Sequence, residues 1–125
     1  MPRPPIHPRR LLHAVHRWLQ PQVTVTVWLN DDSDAISVGF RPGARLVLAY
    51  RYTLPAATTG TDSLLLERVF AAFNGEPVHP DDERHADAWP TKGLRSLSVG
   101  DIVAIDNRYY ACESVGWTPI PAPRT

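Results

Sequence analysis

His79, Asp81, Asp82, Glu83, His85 and Asp87 gather metal-competent imidazoles and carboxylates into one short stretch. Zinc would demand a fixed tetrahedral geometry from them, and partners that orient each ligand. A segment flanked by Pro77, Pro80 and Pro90 supplies neither by itself, and the spacing matches no closed metal motif. A solvated loop is the simpler reading, so no metal ligand is assigned. Cys112, the single cysteine, would need a neighbouring base or a positive field to act as a nucleophile. No histidine is tied to it by spacing, so it reads as a small apolar group on a Tyr-Tyr-Ala-Cys strand. One cysteine also excludes an internal disulfide and a multi-cysteine metal site. The chain has no glycine-rich phosphate loop and no Ser/His/Asp signature. No catalytic residue and no cofactor is assigned.

Contact chemistry is easier to place. Arg95, Ser96 and Ser98 could form a polar turn that cradles an anion. The competing reading is architectural. Serine and glycine supply turn geometry, Asp101 accepts amide hydrogen bonds, and Leu97 and Val99 plug the core. Tyr109 and Tyr110 are neighbours on a strand, so they point to opposite faces of it. One of them is left to stand at the surface as an anchor, with Trp117 as a further aromatic candidate. Arg9, Arg10 and Arg17, with His13 and His16, could touch phosphates or an acidic surface. Residues 1–20 hold four arginines and no acid, whereas residues 61–92 hold seven acids against three bases. At physiological salt such charges attract only within about 8 Å.

These residues must be positioned by a small domain. The chain has 125 residues and 14.0 kDa, with 43% apolar and 9% aromatic residues, which suits one core. The formal net charge is zero, which argues against a strongly basic nucleic-acid binder. No apolar run approaches the roughly 18 residues of a membrane span. The N-terminal stretch lacks the uninterrupted apolar segment and cleavage site of a signal peptide, so a cytoplasmic protein is expected.

Residues 1–21 read as a proline- and arginine-rich tail plus a short helix from Leu11 to Gln20, stopped by Pro21. Residues 22–120 read as one α+β domain, and 121–125 as a C-terminal tail. Val23–Leu29 alternates Val and Thr, the pattern of a half-buried strand. Ile36–Phe40 and Arg45–Leu54 read as two more strands of an antiparallel meander. A helix is expected from Thr61 or Asp62 to about Phe73, with Leu65, Leu66, Val69, Phe70 and Phe73 as its apolar face. Residues 76–92 read as a polar loop. Ile102–Ile105 and Arg108–Cys112 read as a hairpin around Asp106-Asn107, followed by an extended piece from Val115 to Trp117. Together these predict a mostly antiparallel sheet of about five or six strands on one main helix, curled towards a small barrel.

RSLSVGDIV at 95–103, Tyr110-Ala111-Cys112 and Gly116-Trp117 together form a recognisable pattern. It resembles small actinobacterial proteins found on chromosomes, plasmids and phages. It is more distantly similar to the YodL-like domain. The strongest likeness covers residues 93–118. A weaker one runs back through Leu48-Ala49-Tyr50, Glu67–Phe70 and Phe73-Asn74. The resemblance implies a stand-alone or modular domain associated with mobile elements, in a family without a settled activity. The resulting expectation is a non-catalytic protein-interaction module whose contacts are Arg95, Ser96, Ser98, Tyr109, Tyr110 and Trp117, with an unidentified protein as partner. The alternatives are a nucleic-acid binder using Arg9, Arg10 and Arg17, and a small enzyme.

Overall fold

The computed structural model describes residues 20–124. The order of elements is β1 (Gln22–Asn30), a helical turn α1 (Ala35–Val38), β2 (Leu46–Pro55), α2 (Asp62–Ala72), α3 (Glu83–Thr91), β3 (Ile102–Ile105), β4 (Arg108–Cys112) and β5 (Trp117–Ile120). The expected N-terminal helix, and with it Arg9, Arg10 and Arg17, lies outside the described residues, save for its last position.

The alternating Val/Thr run makes β1 a central strand. It pairs antiparallel with β2 on one side and with β3 on the other. The sheet has five strands in the order β2-β1-β3-β4-β5, every pair antiparallel. Its two outer strands do not pair, so the sheet is open, and the expected curl into a barrel is corrected. Closure would need β2 to pair with β5, but β5 pairs with β4 and β2 with β1. β2 carries one extra residue opposite β1. Val27 faces Tyr50 and Trp28 faces Leu48, so Ala49 bulges out.

Both faces of the sheet follow from period two. Val25, Val27, Tyr52, Leu54, Val103 and Ile105 point to the helical side, where they form one buried cluster with Leu65, Leu66, Val69, Ala72 and Phe73. Each Val, Leu, Ile or Phe side chain among them contributes about 1.5–3 kcal/mol by leaving water. Ile102, Ala104 and Ala111 are buried on the opposite face. There Trp28 packs on Tyr109 with ring centroids 5.8 Å apart.

α2 matches its expected span. Thr61 caps it by accepting from the Leu64 amide at 3.3 Å. Two other expectations are corrected. Residues 36–40 are not a strand. Ala35–Val38 close a helical turn, with the Gly39 amide on the Ala35 carbonyl at 2.7 Å. β1 pairs directly with β2 and β3, so no strand is inserted between β1 and β2, and the segment that links them closes on itself as a turn. Of the loop expected over 76–92, only its ends are loop. A 3₁₀ turn at Pro80–Asp82 leads into α3, whose His85, Ala86 and Trp89 are buried. Pro80 and the acids after it suit a helix start. Phe73 stacks on Trp89 at 4.2 Å, and that burial outweighs the polar composition.

Two buried carboxylates tie the elements together. Asp101 is fully buried and accepts from the Asn30 and Ser98 amides, each at 2.7 Å, and from both terminal nitrogens of Arg95 at 2.7 Å. It thereby fastens the end of β1 to the start of β3. Gly100 beside it has φ +92°, and a Cβ there would sit 3.0 Å from that of Ala35. Asp82 is likewise buried. It accepts from Arg68 Nε at 3.0 Å and Nη2 at 2.9 Å, while Arg68 Nη1 donates to the Thr58 carbonyl at 2.7 Å. This pair joins α2 to the turn before α3.

Candidate functional site

The helical spacing of α2 puts Ser63, Leu66, Glu67 and Phe70 on one stripe. Across from it, β4 and β5 pair Tyr110 with Pro119 and Cys112 with Trp117. Directly opposed residues share a face, so all four point towards that stripe. Between them runs a groove of about 270 Å³, lined by Ser63, Leu66 and Glu67 on the helix and by Tyr110, Trp117 and Pro119 on the sheet, with Gly116 at one end. Trp117 meets the edge of Phe70 at 6.5 Å and an interplanar angle of 83°.

One end of the groove is held by an ion pair. Asp62, in the first turn of α2, accepts from Arg108 Nε at 2.7 Å and Nη2 at 3.0 Å, and from the Tyr110 hydroxyl. The Arg108 guanidinium holds the Asp62 carboxyl below its ordinary range, against the opposing effect of partial burial. The hydrogen bond to Asp62 in turn pushes the Tyr110 phenol up, so it stays a neutral donor. The Tyr110 ring is therefore fixed. Glu67 makes no ion pair and no side-chain hydrogen bond among the described residues.

The six expected contact residues fall in three places. Tyr110 and Trp117 meet in this groove. Tyr109 lies on the other face of the sheet against Trp28. Arg95 and the Ser98 amide bind Asp101, and Arg95 also donates to the carbonyls of Asn30 and Ser96 and to the Ser98 hydroxyl. The two terminal nitrogens of Arg95 are thus held within the turn, while its side chain stays half exposed.

The histidine-rich stretch does not assemble as a ligand set. Among the described residues, no group of three or more His, Cys, Asp or Glu side chains is placed to hold a metal ion. His79 caps the 3₁₀ turn, Asp82 binds Arg68, and His85 enters an aromatic cluster. Cys112 is buried, and burial pushes its thiol up to about 11, helped by Asp101, Glu113 and Glu67. It is a thiol, not a thiolate, at neutral pH.

The His85 cluster escaped the sequence reading. The His85 Nδ1 shares a hydrogen bond of 2.8 Å with the Tyr50 hydroxyl, and its ring packs at 4.3 Å from Tyr52. The available signal was His85, Ala86 and Trp89 at helical spacing, obscured by the prolines on either side. Burial, and then Arg84, push the His85 imidazole below its ordinary value, while Asp82 pulls the other way. The neutral form thus stabilises the fold. That contribution is present above the unfolded value near 6.5 and is lost as the pH falls through the lower folded value. Thermal melts of the wild type should therefore drop more steeply between pH 7.5 and 5 than those of His85→Gln. Parallel curves would show that His85 does not couple to folding.

Comparisons of the chain with family models, with curated proteins and with solved structures find no match. The class is therefore defined by the fold and the groove themselves, as an open five-stranded α+β domain with an aromatic cleft between helix and sheet. No helix among the described residues is long and apolar enough to cross a membrane.

Proposed function

We propose that this chain is a non-catalytic protein-interaction module, acting in the cytoplasm as an accessory factor of a mobile element. The observation that carries the interaction reading is the convergence of Tyr110 and Trp117, from different strands, on one groove beside α2. Aromatic side chains held rigidly beside a cleft are the usual anchors of protein interfaces. The mobile-element setting rests on the YodL-like resemblance over residues 93–118.

The test is co-purification from nuclease-treated actinobacterial lysate with the wild type, Trp117→Ala and Tyr109→Ala. A stoichiometric protein partner is expected with the wild type and with Tyr109→Ala. Trp117→Ala should weaken its retention by about 30-fold, as for a central aromatic anchor, while circular dichroism stays unchanged. Recovery of nucleic acid alone, once the nuclease is omitted, would overturn the proposal.

A further inference from the structure

We propose that the groove between α2 and the β4–β5 pair is a binding site for an arginine side chain presented by the partner protein. This deepens the interaction-module reading and rests on it.

The argument is one of complementary chemistry. A guanidinium stacks on aromatic surfaces, and its forked N–H donors match a carboxylate. The groove offers both, with Trp117 and Tyr110 on the sheet side and Glu67 on the helix side. The two carboxylates of α2 nearby are in different states. Asp62 is committed to Arg108 and the Tyr110 hydroxyl. Glu67 is exposed and makes no such bond among the described residues, so its charge is available to a ligand.

Other occupants fit less well. An anion would meet Glu67, with no base among the described residues that line the groove to offset it. An apolar side chain would strip water from Glu67 and return no hydrogen bond. At about 270 Å³ the cleft suits one long side chain rather than a helix or a cofactor. An independent sign of local negative field comes from Cys112, which faces Trp117 across the strand pair. After burial, the causes that raise its thiol are the carboxylates of Asp101, Glu113 and Glu67. Among the described residues, only the first of these is offset by a bound arginine.

The test is an NMR titration that follows the Trp117 indole N–H. The probes are acetyl-Gly-Arg-Gly-amide and the same peptide with citrulline or norleucine in place of arginine. Saturable shifts at Trp117 are expected with the arginine peptide. Binding should be about fivefold weaker with citrulline, and about fivefold weaker for Glu67→Gln, whose amide spectrum away from the groove should match the wild type. Equal binding of citrulline or norleucine would overturn the cation site while leaving the groove as a contact surface. No shift at Trp117 with any probe would also overturn it. In either case, loss of the co-purified partner with Trp117→Ala tests the wider reading separately.

Discussion

Asp101→Asn is expected to lower the melting temperature by roughly 10 °C or more, since breaking a buried ionic network from one side costs about 3–5 kcal/mol. The substitution keeps the shape and removes the charge. Four donors converge on the two carboxylate oxygens, from Asn30, Ser98 and both terminal nitrogens of Arg95. An amide presents one oxygen and one NH₂, so at least two of those donors would face another donor. Arg95→Ala should cost less, because the Asn30 and Ser98 amides still satisfy the carboxylate. Differential scanning calorimetry of both variants checks this. An Asp101→Asn protein that melts within about 2 °C of the wild type would show the network to be dispensable.

Asp82→Ala is expected to cost about as much, for the same reason in mirror image: it strands the Arg68 guanidinium inside the domain. The prediction becomes specific in a double variant. Arg68→Met alone leaves a buried carboxylate and Asp82→Ala alone a buried cation, so each should lose about 3 kcal/mol. The combination removes both charges and should recover most of that loss, because an apolar pair of similar volume is often as stable as the ion pair it replaces. Losses that simply add in urea denaturation would mean that the two residues act independently.

The elements that could be read from the sequence are those whose signal is local. α2 announces itself by a helical stripe and a threonine cap, and β1 by strict alternation. The β3–β4 hairpin does so through Asp106-Asn107, where Asp106 takes a positive φ of 54°. The opposite orientations of Tyr109 and Tyr110 follow from period two alone. α3 was hidden because its stability comes from outside itself, through Trp89 on Phe73 and His85 on Tyr50 and Tyr52. α1 was misread because Ile36 and Val38 alternate like a strand, although both side chains are exposed. The hold of Arg95 within the turn depends on Asp101, whose own burial depends on Asn30, 71 residues earlier. No local pattern encodes such a separation. The groove was half legible, since Tyr110 and Trp117 were both singled out. Their meeting requires the β4–β5 register, and Glu67 enters only once α2 is laid across the sheet.

An open sheet has two raw edges, and both are interrupted here. The Ala49 bulge divides β2 into two short pieces, and Pro119 removes a donor from β5. Neither edge offers a long, flat run of backbone groups to a neighbouring copy. The consequence is colloidal: the domain should stay dispersed at high concentration although its sheet never closes. Straightening β2 by deleting Ala49, or restoring an amide at position 119, would turn an edge into a template for fibrous self-association.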